Sequence, residues 1–342
     1  MRKVYTMKKI LAIVLALVLA LSMGVAACAE ETTIRVGVIT DVGGVNDKSF
    51  NQTTWEGMEA LMAENPAVEA TYLESATDAD YSSNIETFVD EGYDLIICVG
   101  YMLADACREA ALEYPDQKFA IIDDASNADL PNVACLMFSQ QKASYLVGIV
   151  AGLMTESNVV GYVQGMVSDS MNLFGIGYIA GVKSVNPDAT VLQYNANSFA
   201  DATTGSAAAT DMITNGADVI YHAAGGTGNG VIEACATNGV WAIGVDTDQS
   251  PLAPDYVITS AMKRVDTAAQ DITKAVLDGT FEAGVKLYEL ANGGVDIAPT
   301  RDLLSDEVVA AVEDAKASII SGEIVVPSSI EELGEGLFTL AE

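Results

Sequence analysis

The chain has 342 residues, 50 % of them hydrophobic, with 48 Asp and Glu against 16 Lys and Arg, a net charge of −32. The apolar half excludes general disorder, and the length favours two domains over a single core. The charge argues against nucleic acid, which needs Lys and Arg to neutralise phosphate, and against docking on an anionic membrane surface. A single histidine, His222, rules out a multi-histidine metal site and leaves one candidate for a histidine dyad.

Arg2, Lys3, Lys8 and Lys9 precede an apolar run from Ile10 to Leu21, followed by Gly24, Ala26, Ala27 and Cys28. Charged, apolar and small residues in that order make a secretory leader. Val25-Ala-Ala-Cys28 reads as a bacterial lipobox, with residues 1–28 as the lipoprotein leader and Cys28 lipidated. Ala27-Cys-Ala29 as an ordinary cleavage site is the alternative, and the apolar run is short for a retained span. The leader holds four basic and no acidic residues, so its removal takes the net charge from −32 to −36. Such a chain is a self-repelling, exported protein. Cys98, Cys107, Cys135 and Cys235 form no C-x-x-C pair, and no disulfide is expected.

From residue 34 onward, short β-rich runs alternate with stretches of helical periodicity. The runs are Ile34–Thr40, Val68–Leu73, Asp94–Val99, Lys118–Asp123 and Val133–Phe138, then Val159–Val163, Thr190–Tyr194, Asp218–His222, Val240–Asp246 and Tyr256–Ser260. Several are continuously apolar, as strands buried on both faces of a parallel sheet must be. The pattern is α/β and doubly wound, and ten strands divide into two lobes. Ligands in such sheets sit beyond the carboxyl ends of the strands. Each motif can therefore be tested by whether it follows a strand.

Thr40-Asp41-Val-Gly-Gly44-Val-Asn-Asp47-Lys-Ser-Phe50-Asn51 follows the first strand. Ser49 and Gln52 have capping-box spacing, which predicts a helix from Phe50. Asp41, Asp47, Phe50 and Asn51 should then gather at one strand end and helix start. Phe119-Ala-Ile-Ile-Asp123-Asp124 places two acids after a buried strand on the same sheet edge. Asn197-Ser-Phe199-Ala-Asp201 puts Phe199 in a loop, where a planar ligand could cover it.

Tyr221-His222-Ala-Ala-Gly225-Gly226-Thr-Gly228 is a strand and a glycine-rich turn, with a helix expected from about Thr227. Its amides could face a ligand oxygen. It lacks the Walker Gly-Lys-Ser/Thr and the G-x-G-x-x-G fingerprint, so nucleotide phosphate is a poor fit. His222 reads as a packed strand-end residue. Ile243-Gly-Val-Asp246-Thr-Asp248 again sets acids after a strand, and Pro251 stands where an EF-hand needs glycine. Ser260-Ala-Met-Lys263-Arg264 adds a lysine after the next strand. No G-x-S-x-G, H-E-x-x-H or Cys/His motif is present, although paired carboxylates alone do not exclude a glycosidase.

These segments together resemble the basic membrane protein family, the nucleoside-binding lipoproteins of ABC importers. Thr40-Asp-Val-Gly-Gly44, Asp47-Lys-Ser-Phe-Asn-Gln52, Phe119-Ala-Ile-Ile-Asp123, Tyr221–Gly228, Ala242–Ser250 and Ser260–Arg264 run in family order across nearly the whole chain after the leader. The resemblance implies a bilobed type I periplasmic-binding-protein fold, two doubly wound parallel-sheet lobes joined by a three-crossing hinge. The crossings are expected near Ser139, Ala261 and Lys286. Lobe one would comprise 34–139 plus 262–285, and lobe two 140–261 plus 286–342.

The resemblance also implies roles. Phe50 and Phe199 would stack on the two faces of a base. Asp41, Asp47, Asn51 and Asp123 would meet its polar edge, and Asp246 and Lys263 would hold the ribose hydroxyls beside the Gly225-Gly226 backbone. Residues Met166–Phe174 depart from the family pattern. The implied ligand is a purine nucleoside, guanosine, inosine or adenosine. The implied partners are an ABC permease with its ATPase subunits, and the implied location is the extracytoplasmic face of the cell membrane, through a lipid on Cys28. No cofactor, metal or enzymatic activity is implied. Two alternatives remain open: the same fold holding a sugar, riboflavin or a signalling molecule, or a secreted nucleoside hydrolase or glycosidase.

Overall fold

The structure, a computed structural model, describes residues 33–340. The expected leader and Cys28 lie outside the described residues.

The first strand shows why the chain builds a buried parallel sheet. β1 (Ile34–Ile39) is almost wholly apolar and has a parallel partner on each edge, β2 (Val68–Leu73) and β3 (Leu95–Cys98). Helices cover its faces. Gly37 lies under the ring of Phe88, where a Cβ would overlap the phenyl. β4 (Lys118–Ile122), β5 (Val133–Phe138) and β11 (Gly284–Tyr288) complete this sheet, in the order β11-β5-β4-β3-β1-β2, all parallel. Its helices are α1 (Phe50–Glu64), α2 (Asp80–Asp90), α3 (Ala104–Glu113) and α8 (Val265–Leu277).

The second sheet repeats the plan. β6 (Val159–Gln164), β7 (Thr190–Asn195), β8 (Val219–Ala223), β9 (Trp241–Asp246), β10 (Val257–Lys263) and β12 (Val295–Ile297) lie in the order β12-β10-β9-β8-β6-β7. Only β12 runs antiparallel to its neighbour. The helices here include α4 (Gln140–Met154), α5 (Asp169–Val185), α6 (Ala202–Thr214), α7 (Gly225–Asn238) and α9 (Asp306–Ser321). α4 and α5 pack backbone to backbone. A Cβ on Gly148 would strike the carbonyl of Tyr178, and one on Gly181 the carbonyl of Tyr145.

All ten expected strands are present. β11 and β12 were not expected. β11 alternates exposed Val285 and Leu287 with less exposed residues and β12 has three residues, so neither shows a continuous apolar run. Their presence fixes where the chain passes between the lobes. The first passage lies at Ser139, between β5 and α4. The second follows Lys263, because β10 continues through Lys263 in the second sheet before α8 packs on α1. The third lies between Tyr288 and Val295. The boundary drawn near Ala261 thus falls inside β10, and the one near Lys286 falls inside β11, where Lys286 pairs with Leu136.

Candidate ligand-binding site

The carboxyl ends of both sheets converge on one cleft. It is lined from lobe one by Asp41, Asp47, Phe50, Asn51, Tyr101 and Asp123, and from lobe two by Phe174, Phe199, Gly225, Asp246 and Lys263, among others. The space within it is about 480 Å3, part of it open to solvent. Nine of the ten residues singled out from the sequence line this cleft. Gly226 does not line it but sits beside it, with Asp47 and the Phe199 carbonyl within 4 Å of where its Cβ would be.

Backbone geometry places the acids. Asp123 directly follows β4 and Asp246 ends β9, strands that hold equivalent places in the two sheets. Both acids adopt left-handed backbone, φ +68 and +66. That conformation is uncommon outside glycine, is most accessible to Asn and Asp, and clusters at functional sites. Gly225, at φ +53, starts α7 at the end of β8, two residues earlier than the sequence suggested.

The loop before α1 is organised by Asp47 rather than by the predicted capping box. The Asp47 carboxylate accepts hydrogen bonds from the amides of Ser49 (2.9 Å), Asn51 (2.9 Å) and Gln52 (3.1 Å). It therefore satisfies the free amides of the first helical turn. Ser49, in the cap position, makes no side-chain cap bond. Its hydroxyl instead donates across the cleft to Asp246 Oδ2 at 2.5 Å.

Asn51 is also committed within the chain. Its Nδ2 donates to Asp41 Oδ1 at 2.8 Å and to Asp47 Oδ2 at 3.0 Å, so both amide hydrogens are used. Asn51 is thus a clamp between two carboxylates, and it also lines the cleft. Asp41 Oδ1 also accepts from the Gly43 amide at 2.8 Å.

The remaining carboxylate oxygens are different. Asp123 Oδ2 accepts from Lys263, and its Oδ1 is buried with no partner among the described residues. Asp41 bonds through Oδ1 and Asp246 through Oδ2, which leaves one further oxygen on each for a ligand. Burial pushes Asp41 up from 3.8 to about 6, against the hydrogen bonds from Asn51 and Gly43. Burial pushes Asp246 up to about 7, although the charge of Lys263 and the Ser49 bond pull it down. Asp47 is also raised, again by burial.

Lys263, 1 % exposed, brings the cleft's positive charge. Its ammonium lies 5.1 Å from the ring centre of Phe50 and 5.2 Å from those of Phe138 and Phe174. Ring faces attract a desolvated cation at this range. Phe199 is buried against Gly165, where a Cβ would overlap its ring, and beside Gly225.

Seven lining residues were not singled out from the sequence, among them Tyr101, Met171 and Phe174. Tyr101 follows β3, so the strand-end test already applied to its neighbours would have found it. Met171 and Phe174 face the cleft from α5 and belong to the segment that departs from the family pattern. His222 is wholly buried and does not line the cleft, and burial pushes its pKa down to about 4.

Comparison with known proteins agrees with this architecture. The family model described as ABC transporter substrate-binding protein PnrA-like matches residues 34–329. The CD4+ T-cell-stimulating antigen of Listeria monocytogenes is 38 % identical, over 94 % of this chain and 99 % of its own. The ABC transporter nucleoside-binding protein BmpA of Lactococcus lactis is 39 % identical, over 87 % of this chain and 90 % of its own. A solved ABC transporter solute-binding protein from Aeropyrum pernix superposes with a TM-score of 0.80 at 30 % identity, covering 87 % of this chain and 95 % of that one. The two lobes are those of a type I periplasmic-binding-protein fold.

Proposed function

The chain belongs to the PnrA-like family of ABC transporter substrate-binding proteins, and from that we propose that its cleft holds a purine nucleoside and delivers it to an ABC permease. The observation that carries the ligand class is the set of carboxylate oxygens facing the cleft on Asp41, Asp123 and Asp246, with Asp123 Oδ1 buried and unpartnered. An ionised carboxylate only accepts hydrogen bonds, so the ligand must bring donors. A purine edge supplies N–H groups and a ribose supplies adjacent hydroxyls. Phe50 and Phe199 supply faces for a planar ring.

The charge balance selects against phosphate. Among the described residues, four carboxylates line the cleft against the one ammonium of Lys263. A nucleotide would add negative charge to this site, where low dielectric strengthens repulsion. A neutral nucleoside avoids that cost. Stacking worth roughly 1–3 kcal/mol per base, with several charge-assisted hydrogen bonds, is enough for micromolar or tighter binding.

The reading is of binding without turnover, on the extracytoplasmic face. Among the described residues no helix is long and apolar enough to cross a membrane. Attachment through lipidated Cys28 belongs to the same proposal.

Isothermal titration of the purified chain from Glu30 onward, against inosine, guanosine, adenosine, cytidine, ribose and riboflavin, tests the ligand. Saturable heat from a purine nucleoside, with no free base released over hours, is the expected result. Heat from ribose or riboflavin alone would overturn the ligand while keeping the fold. Release of free base would overturn the transport reading.

A further inference from the structure

A second set of contacts crosses between the lobes beside the cleft. Asp47, Lys48 and Ser49 are consecutive residues of lobe one, and each is held by a different side chain of lobe two. Asn229 Nδ2, on α7, donates to the Asp47 carbonyl at 3.0 Å. Gln249 Nε2, beyond β9, donates to the Lys48 carbonyl at 2.9 Å. Asp246 accepts from the Ser49 hydroxyl. Asn229 and Gln249 do not line the cleft.

Gln249 is fixed before it reaches across. It is 1 % exposed, and its Oε1 accepts from the Val245 amide at 2.9 Å. Its backbone N–H donates to Ser260 Oγ at 3.0 Å. Gly244 leaves room for it, since a Cβ there would come within 2.6 Å of Gln249 Oε1. With Oε1 committed inside lobe two, Nε2 is the end offered to lobe one. On the other side Lys48 holds a left-handed backbone, φ +57. A non-glycine residue keeps that conformation where its surroundings enforce it. The gripped segment is also the one whose Asp47 carboxylate caps α1 and holds Asn51, so the contact reaches the ligand-facing acids through the backbone of the same loop.

We propose that Asn229 and Gln249 form a closure latch: positioning residues that clasp the Asp47–Ser49 loop to lobe two and slow ligand release without touching the ligand. Only the kinetic arm of the test below rests on the nucleoside reading. Hinged lobes close around their ligands, and contacts made only in the closed form bias that equilibrium.

Two substitutions isolate the latch. Gln249→Glu keeps the Oε1 acceptor but replaces the donor with an oxygen facing the Lys48 carbonyl. Asn229→Leu removes the donor without adding charge, and Asn229 Oδ1 has no partner among the described residues to lose. Stopped-flow binding of inosine to the whole chain after the leader should show dissociation accelerated about tenfold, the equivalent of ~1.4 kcal/mol, with the association rate unchanged. Small-angle X-ray scattering should show a larger radius of gyration for both variants, with the unfolding temperature of Asn229→Leu unchanged. A merely structural role would lower the unfolding temperature and leave the split between the two rates unmoved. Unchanged dissociation, or a change confined to association, would overturn the latch. If inosine binds neither wild type nor variants, the nucleoside reading fails on its own, and scattering decides: expanded variants support the latch, and identical profiles sink it.

Discussion

Lys263, at the end of β10 in lobe two, donates to Asp123, at the end of β4 in lobe one, and the pair is almost wholly buried, with side-chain exposures of 2 % and 7 %. The ion pair therefore spans the cleft and sits among Phe50, Phe138 and Phe174. Burying two charges is costly, and their attraction offsets that cost only while both are present. Lys263→Met should leave Asp123 uncompensated, close to Asp41 and Asp246. Breaking a buried pair by removing one partner costs about 3–5 kcal/mol. Urea unfolding of Lys263→Met, Asp123→Leu and the double variant measures this. The double variant should lose less than the sum of the singles, and strict additivity would show that the two side chains do not interact.

The raised acids make a signed prediction about pH. Asp246 is moved from 3.8 to about 7, and Asp41 to about 6, both mainly by burial. Each therefore binds its proton more tightly folded than unfolded. The stability this contributes is fully present below pH 3.8 and is lost as pH rises through 6 and 7. Asp246→Asn imitates the protonated acid. It should stabilise the folded chain at pH 8 by on the order of a few kcal/mol, and the gain should shrink at about pH 5. Chemical unfolding of both proteins at the two pH values is the check. Equal stability at pH 8 would show that Lys263 and Ser49 outweigh burial.

Phe199 lines the cleft from lobe two. It is buried against Gly165 and Gly225, which have no side chains to displace it. Phe199→Ala should weaken inosine binding by about 5- to 150-fold, the equivalent of the ~1–3 kcal/mol that stacking contributes per base. Calorimetry gives the affinity, and the unfolding temperature separates lost stacking from lost packing. Undiminished affinity would place the base elsewhere.

Much of this molecule could be read from its sequence, and the exceptions share physical causes. Strands such as Leu95–Cys98 and Val219–Ala223 are buried on all sides, so the apolar run is an undiluted signal. β11 alternates exposed Val285 and Leu287 with less exposed neighbours, and β12 has three residues, so neither carries that signal. Asp41, Asp123 and Asp246, which line the cleft, stand out in the sequence because each lies at a strand end. Ser49 was misread because spacing cannot show which of two nearby acceptors a loop will use. Asp47 satisfies the helix amides, and that frees the Ser49 hydroxyl for Asp246, 197 positions away. The latch was illegible for the same reason, since Asn229 and Gln249 become neighbours of Asp47 and Lys48 only when two sheets face each other.

The sugar end of the ligand gives the sharpest chemical test. Asp246 bonds Ser49 through Oδ2 alone, and its second oxygen remains for the ligand beside Lys263. Family resemblance assigns these two residues to the ribose hydroxyls, and the chemistry fits: a carboxylate accepts from a hydroxyl, and an ammonium donates to one. A ligand lacking the hydroxyls would leave buried polar groups unpaired. That costs roughly 1–3 kcal/mol, and more for a charged group. Inosine should therefore bind about 5- to 150-fold more tightly than 2′,3′-dideoxyinosine in parallel titrations. In Asp246→Ala the discrimination should collapse, because the group that senses the diol is gone. Equal affinities for the two nucleosides in the wild-type chain would remove Asp246 and Lys263 from the ribose and turn the ligand around in the cleft.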